Sequence, residues 1–363
     1  MTIHDRSSTP TTRMRYPASL LATAVLACLA SATPPMLRDA AAAGASPSAG
    51  GFCTTAAQQQ FAACLFGVRD DLFSTRATCL NVADAAEREQ CYAEAVAAQS
   101  EGSALCSDQH GARKDLCAAL GEARYNPAFD PANFDSDFGH LTHPNRYQPL
   151  RAGNQWSYVG GGQTVEVNIL DKTKLIEGVA CIVVSDRVKT QGRLTEDTDD
   201  WFAQAKNGDV YYCGEETAEF ENFAGDHPRA PERVNIDGSF KSGRDRARSG
   251  IAFLGTPRVG VTYRQEFSAG NAEDAATVVS THYRYGRQRE LDRFVPRAIA
   301  QRFCSAGDCV VTAEATPLEP GVIERKYYAV GIGNILVVTP KSGEVVQLVD
   351  CNFDARCAGL PMP

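Results

Sequence analysis

The distribution of cysteine most restricts how this chain folds. Thirteen cysteines occur in 363 residues, and Cys28 lies in an apolar N-terminal segment. Without Cys28, twelve cysteines remain. An even number of cysteines in an exported chain is typical of a disulfide framework, and no pair has the CxxC spacing of a redox or zinc site. We therefore expect twelve structural cysteines in two groups of six. The groups are Cys53, Cys64, Cys79, Cys91, Cys106 and Cys117, and Cys181, Cys213, Cys304, Cys309, Cys351 and Cys357.

The N-terminal 32 residues have the pattern of a secretory signal. Three arginines precede an apolar run at 18–30, and Ala30-Ser-Ala32 fits a cleavage site between small residues. The run is too short to span a bilayer, so we expect no transmembrane domain in the mature chain. Residues 33–51 are rich in Ala, Pro, Ser and Gly and are expected to be a disordered leader. The sequence thus predicts a secreted or periplasmic protein.

The charge balance argues against a nucleic-acid partner. The formal net charge is −8, and removal of the predicted signal takes away three arginines and one aspartate, which leaves about −10. An acidic surface repels the phosphate backbone of DNA or RNA.

Residues 52–125 have helical composition. Phe61, Cys64, Leu65, Val68 and Leu72 recur at i, i+3, i+4 spacing, which predicts an amphipathic helix. We expect three short helices in up-down-up order, with disulfides compensating for a small, alanine-rich core. Six cysteines allow fifteen pairings, and the sequence does not choose among them.

Residues 126–148 form a proline-containing linker, and residues 149–363 have short β-type runs separated by glycine. No strand–helix–strand alternation occurs, so an antiparallel sheet is expected. One helical insertion is predicted at 290–303, interrupted by Pro296. The fold class is therefore α+β, with a stapled helical region followed by a curved antiparallel sheet or half barrel.

Residues 179–221 predict a three-stranded meander with turns at Gln191-Gly192 and Asn207-Gly208. Two-residue loops place Ile182 opposite Trp201, and Phe202 opposite Cys213.

The remaining cysteines of the sheet pose a problem for this register. If the loops 304–309 and 351–357 each close on themselves, Cys181 and Cys213 are left over. A whole strand separates these two, roughly 10 Å between Cα atoms, which is beyond the reach of a disulfide. Either the strand order differs, or one short loop is not self-closed.

Two sets of side chains are candidate metal ligands. The same register gathers four carboxylates on one face of the meander, and these oxygens suit Ca²⁺. A solvated acidic hairpin is the alternative. The residues are Asp186, Asp197, Asp199 and Glu216.

The second set lies in the linker and mixes carboxylates with imidazoles, which suits Zn²⁺. The alternative is a polar linker packed against the sheet. These residues are Asp135, Asp137, His140 and His143.

Two strands carry a family resemblance. The segment 149–156, Pro-Leu-Arg-Ala-Gly-Asn-Gln-Trp, and the segment 327–333, Tyr-Tyr-Ala-Val-Gly-Ile-Gly, resemble the opening and closing strands of a group of exported bacterial β-rich proteins of no assigned activity. The resemblance implies a curved antiparallel sheet, loosely similar to lipoprotein-carrier or lipocalin-like half barrels. It implies no functional residues.

The sequence contains no G-x-S-x-G, H-E-x-x-H or Walker motif, although a catalytic triad assembled from distant residues stays open. We expect an exported, non-catalytic binding or interaction protein. Its concave face is expected to take a small apolar or amphipathic molecule or a partner in the cell envelope or outside the cell. The alternative is a secreted metal-binding protein or metal-dependent enzyme. The candidate ligand-lining aromatic residues, although such residues more often belong to the core, are Trp156, Tyr158, Trp201 and Phe202.

Overall fold

The computed structural model describes residues 51–363. The predicted signal segment, 1–32, and the predicted leader up to residue 50 lie outside the described residues. The remainder folds into an N-terminal helical hairpin and one large antiparallel sheet, which confirms the predicted α+β class.

The helical region contains two long helices, so the prediction of three short ones was wrong. Helix α1 spans Phe52–Cys79 and helix α2 spans Ala85–Leu120. Helix α2 starts where the Asp84 carboxylate accepts hydrogen bonds from two backbone amides of the first turn. It then continues through Gly102, where an added Cβ would come within 2.9 Å of Val68 on α1. Glycine at this position permits close packing of the helices instead of ending α2.

Three disulfides staple the hairpin. They join Cys53 to Cys117, Cys64 to Cys106 and Cys79 to Cys91, so the residue numbers of each pair add up to 170. Residues that face each other on two antiparallel helices have numbers with a constant sum, so all three disulfides fit one register of the hairpin. Apart from these cystines, the buried side chains of the hairpin are few: Ala57, Ala95 and Arg113. Apolar burial alone is therefore too small to hold the pair together.

Fifteen strands form one antiparallel sheet. They are β1 (Gln155–Gly160), β2 (Gln163–Ile176), β3 (Val179–Thr190), β4 (Arg193–Gln204), β5 (Val210–Glu221), β6 (Glu232–Asn235), β7 (Phe240–Lys241), β8 (Arg248–Phe253), β9 (Thr262–Arg264), β10 (Glu266–Phe267), β11 (Ala275–Tyr283), β12 (Cys309–Ala315), β13 (Glu324–Ala329), β14 (Gly333–Thr339) and β15 (Glu344–Cys351). The hydrogen-bonded order is β10-β8-β5-β4-β3-β2-β1-β15-β14-β13-β12-β11-β9, with β6 and β7 on β5.

The sheet is nearly closed and barrel-shaped. Its first and last strands in the pairing order, β10 and β9, are consecutive in sequence and separated by Gln265 alone. The two edges of the sheet must therefore meet. We call this barrel-shaped sheet the wall. Each of its strands has one face toward the interior and one face outward.

Apolar side chains fill one part of the interior, around Trp156, Ile182 and Leu348. Segments outside the sheet cover parts of its outer face. Two helices, α3 (Arg289–Asp292) and α4 (Arg297–Cys304), form the predicted insertion with its break at Pro296. The linker covers another part of the outer face with Phe134.

The meander has the predicted strand order but a different register. Ile182 lies opposite Phe202, and Phe202 lies opposite Tyr212. Register shifts at Val188/Lys189 and at Trp201/Phe202 cause the difference. A single irregular residue moves every following pair by one position.

All three disulfides of the sheet region form, and neither alternative raised by the sequence holds. Both short loops close on themselves, through Cys304–Cys309 and Cys351–Cys357. Cys181 is nevertheless bonded to Cys213 across the intervening strand, with Cα atoms 6.7 Å apart. The expected separation of roughly 10 Å assumed a flat sheet. The wall is bent here, and Cys213 lies in the irregularity opposite Trp201/Phe202.

The hairpin contacts the sheet through the end at which α1 begins and α2 finishes. Arg113 of α2 forms a two-pronged ion pair with Glu273, at 2.8 and 3.0 Å, and both side chains are buried. Phe52 and Tyr125 contact Phe267 beside it. No helix within residues 51–363 is long and apolar enough to cross a membrane.

Removal of the central staple should unfold the hairpin selectively. We expect the double variant Cys64→Ala/Cys106→Ala to lower the hairpin's free energy of unfolding by about 2–4 kcal/mol, because the bridge restricts the unfolded chain. Far-ultraviolet circular dichroism during thermal unfolding measures helix loss. The fluorescence of the two tryptophans, both in the sheet, is the internal control. If the circular dichroism and fluorescence midpoints of thermal unfolding fall by the same amount, the disulfide does not stabilise the hairpin independently of the sheet.

Candidate functional site

A polar trough lies on the outer face of strands β1–β5. Its volume is about 710 Å³, within the range typical of small-molecule sites. Side chains at alternate positions along each strand line it, as expected for one face of a sheet. The lining residues are Gln155, Asn168, Leu170, Lys172, Ser185, Arg187, Asp197, Asp199, Glu216, Ala218 and Phe220.

The bend of the wall explains why an outer face is concave here. The Cys181–Cys213 disulfide spans strand β4 over the small, fully buried Ala203, and it draws β3 and β5 toward each other. On the same face Trp201 is buried, and the Lys174 ammonium lies 3.4 Å from its ring centre. This arrangement is a close cation–π contact. Burial lowers the pKa of Lys174, and the nearby Glu216 carboxylate opposes that shift.

Charges of both signs alternate across the trough. Lys172 lies 3.3 Å from Asp199, and Arg187 lies 3.2 Å from Asp197. Glu216, opposite Asp199 on the next strand, adds one more carboxylate. Two basic and three acidic groups leave the surface close to neutral. Exposed pairs of this kind add little to stability, so their side chains are free to exchange partners with a ligand.

The predicted four-carboxylate face is thus divided between the two sides of the wall. Asp197, Asp199 and Glu216 share one face, as predicted, and that face forms the trough. Asp186 points inward, because it lies opposite Thr198 rather than Asp197. The prediction that Asp186 shares their face was therefore wrong, and the unrecognised register shift at Val188/Lys189 is the cause.

Inside the barrel Asp186 belongs to a second acidic group. Asp200 faces inward opposite both Val184 and Glu215, and Glu196 faces inward opposite Val188. Across the interior, Glu314 forms a 2.9 Å ion pair with Lys326. The further inward carboxylates near them are Glu266 and Glu324.

Burial shifts the protonation of these interior groups. Desolvation raises the pKa of Asp200 to about 7, although a hydrogen bond from Tyr212 opposes the shift. Desolvation likewise raises the pKa of Glu324 to about 7. The pKa values of Asp186 and Glu215 rise well above their usual range, first through burial and then through repulsion by Asp200. Glu314 is the exception, because Lys326 and hydrogen bonds outweigh burial and lower its pKa.

The linker residues predicted to bind zinc do not converge. The Asp135 carboxylate accepts hydrogen bonds from the amide and hydroxyl of Thr142. Asp137 pairs with the exposed His140 at 2.8 Å, and this hydrogen bond lowers the pKa of Asp137. His143 instead bonds to the backbone oxygen of Lys206. Nowhere in residues 51–363 do three or more His, Cys, Asp or Glu side chains form a group able to hold a metal ion.

The four predicted aromatic residues do not line a common surface. Trp156 and Tyr158 belong to the interior, where the indole donates to the Ile332 carbonyl and the phenol to the Asn334 carbonyl. Phe202 also faces inward and stacks on Tyr212 at 4.8 Å. Trp201 lies on the outer face, under Lys174.

Reasoning from sequence missed Lys172 and the amide members of the trough, Gln155 and Asn168. Strict alternation on β2 predicts that Asn168, Leu170 and Lys172 share a face, and this signal was available. Strict alternation along β4 and β5 also predicts that Asp200 and Glu215 lie on the face opposite Asp199 and Glu216, and the pairing in the structure confirms this.

Comparisons with protein-family models, with characterised proteins and with solved structures give no match to this chain. The resemblance to exported bacterial β-rich proteins stays a prediction.

The interior carboxylates predict an unusual dependence of stability on pH. Because the folded state raises their pKa values, their stabilising contribution is complete below the unfolded values near 4 and is lost as the pH rises through about 7. We expect the free energy of unfolding to fall by on the order of 2 kcal/mol between pH 5 and pH 8 because of Asp200 alone. Urea denaturation at the two pH values measures this fall.

The variant Asp200→Asn is the control, because it cannot ionise. It should be less sensitive to pH than the parent protein, and more stable than the parent at pH 8. An equal pH dependence in both proteins would contradict the raised pKa of Asp200.

Proposed function

We propose that this chain is an exported, non-catalytic binding protein and that the outer trough of β1–β5 holds its ligand. The observation that carries the proposal is a concavity of about 710 Å³ lined by polar groups on paired strands. Strands with neighbours on both sides hold the backbone under these side chains in fixed positions, which favours recognition over a flexible loop. Six disulfides support an oxidising compartment outside the cytoplasm.

The chemistry of the lining favours a neutral, hydroxyl-rich ligand, such as a sugar chain, over the apolar molecule first expected. Acidic and basic side chains nearly cancel, so a strongly charged ligand gains little. Asn168, Gln155 and Ser185 supply both hydrogen-bond donors and acceptors. Phe220 and Leu170 add a small apolar patch on which the C–H face of a sugar ring can pack.

The position of the trough also favours a ligand held by side chains. Its floor is the face of the sheet, and strands β1–β4 have hydrogen-bonded neighbours on both sides. No free main-chain edge is therefore offered for an added peptide strand, the usual way in which a sheet binds an extended peptide. A saccharide needs only side-chain donors and acceptors.

A glycan array probed with the full exported chain tests this function. The strongest glycan is then measured by isothermal titration calorimetry against the parent and two variants. Asn168→Ala should weaken binding about fivefold to twentyfold, because a side-chain hydrogen bond to the ligand is lost.

The matched control is Asn81→Ala. Asn81 is an exposed asparagine on the helical hairpin, away from the trough, and its substitution should leave affinity unchanged. Absence of glycan binding, or equal affinity for parent and Asn168→Ala, would contradict a saccharide-binding trough.

A further inference from the structure

The helical hairpin extends well beyond its contacts with the sheet. Those contacts include the buried ion pair of Arg113 with Glu273 and a hydrogen bond from the Gln109 side chain to the Leu318 carbonyl. Residues 61–108, which we call the arm, continue from there to the turn between α1 and α2. At 1.5 Å per residue the arm is roughly 30 Å long. Most of its residues are exposed, so the sheet leaves the arm largely uncovered.

The edge of the arm that α1 forms exposes a row of large apolar side chains. Phe66, Phe73 and Leu80 are seven residues apart, and 71 %, 55 % and 71 % of their surface is exposed. Phe66 and Phe73 come two and nine residues after Cys64, which is bonded to α2. They therefore point away from α2, about 200° and 180° around the helix from Cys64. A continuous apolar row of this kind on a protein surface is typical of an interaction site.

The opposite edge of the arm, formed by α2, exposes a row of small side chains. They follow one another at alternating spacings of four and three residues, which is the pattern of the a and d positions of a coiled coil. The residues are Ala93, Ala97, Ser100, Ala104, Ser107 and Gly111, and all are exposed. Small side chains at these positions leave recesses that a large side chain of a neighbouring helix can fill.

The charges beside the two edges are opposite in sign. Arg69 and Arg76 each follow an apolar residue of the α1 edge by three positions, which is position g when the apolar residues occupy position d. No carboxylate of residues 51–363 lies within ion-pair distance of either arginine. Acidic residues occupy position e beside the small side chains of α2, namely Glu94, Glu101 and Asp108. In a coiled coil, charged residues at e and g of neighbouring helices form ion pairs that set partner choice and orientation.

These features fit a second copy of the same chain better than other partners. Two α1 edges would offer the arginines no carboxylate at a facing e or g position, and two α2 edges would bring acidic residues together without a lysine or arginine. The α1 edge of one copy against the α2 edge of another combines large with small side chains and basic with acidic ones. A lipid surface fits less well, because residues 61–108 contain eight Asp and Glu and three Arg, a formal charge of −5 that anionic lipids repel.

We propose that the protein self-associates through the arm, with the α1 edge of one copy packed in parallel against the α2 edge of the next. Phe66, Phe73 and Leu80 fill the recesses of the α2 edge, and Arg69 and Arg76 pair with its acidic residues. Each copy keeps one free edge of each kind, so the contact is heterologous and further copies can add to a growing chain. This surface is separate from the trough, which lies on the sheet.

Sedimentation velocity of the full exported chain at rising protein concentration tests the proposal. Species larger than the monomer should form and grow with concentration. Phe73→Ser should weaken association by at least about tenfold, because burial of one large apolar side chain is lost. The matched control is Leu175→Ser, which removes a side chain that is 74 % exposed on strand β2, and association should stay within about twofold of the parent. Circular dichroism checks that both variants remain folded.

Reversal of charge identifies the two edges. The variants Arg69→Glu/Arg76→Glu and Glu94→Arg/Glu101→Arg should each stay monomeric at concentrations at which the parent associates, since like charges then meet at every contact. An equimolar mixture of the two variants should associate as the parent does. In that mixture each α1 edge again finds an α2 edge of opposite charge.

Four results would overturn the proposal. One is a monomer at every concentration. Another is equal weakening by Phe73→Ser and Leu175→Ser, which would indicate only general apolar attraction. The third is failure of the mixed charge variants to associate. The fourth is binding of a monomeric chain to phosphatidylglycerol vesicles that depends on Phe73, which would assign the α1 edge to a lipid surface.

Discussion

The closure of one antiparallel sheet determines where every polar group of this protein can lie. The pairing order begins at β10 and ends at β9, and a single residue, Gln265, joins these strands. A wall that returns to its starting point has an inside and an outside, and alternate residues along a strand must go to different sides. Asp199 and Asp200 are adjacent in sequence, yet one lies in the outer trough and the other in the interior.

Disulfides act on this framework in two different ways. In the hairpin they replace a hydrophobic core, because few other side chains of α1 and α2 are buried. In the sheet, Cys181–Cys213 shapes a surface, since it spans a strand and bends the wall beneath the trough. The hairpin joins the sheet through the buried pair of Arg113 and Glu273, where loss of either partner would leave the other charge without compensation.

Much of the architecture follows from the sequence. The α+β class, the antiparallel meander and the helical insertion with its break at Pro296 all come from periodicity and turn residues. The cysteine spacing of the hairpin also contained its pairing. Cys53, Cys64 and Cys79 are 11 and 15 residues apart, and Cys91, Cys106 and Cys117 are 15 and 11 apart, the mirror symmetry of two antiparallel helices. Because three short helices were predicted instead of two long ones, this symmetry was not recognised.

The candidate sites were less predictable, because they depend on register. The shift at Val188/Lys189 moves Asp186 from the outer face to the interior and cannot be read from residue types. The bend that brings Cys181 close to Cys213 joins residues 32 positions apart, so it also cannot be read from the local sequence. The linker residues Asp135 and His143 do not converge for another reason, because each bonds to a different partner: Asp135 to the Thr142 hydroxyl and His143 to the Lys206 carbonyl.

The most direct test of this separation is a carboxyl carbon-13 nuclear magnetic resonance titration of Asp186 and Asp200, assigned with the corresponding asparagine variants. An enclosed acidic interior predicts that both carboxyl groups titrate well above the ordinary aspartate value of 3.8, with the pKa of Asp200 at about 7. If both groups instead titrate near 4, as solvated side chains do, the interior is not enclosed as described and the register of the wall is wrong.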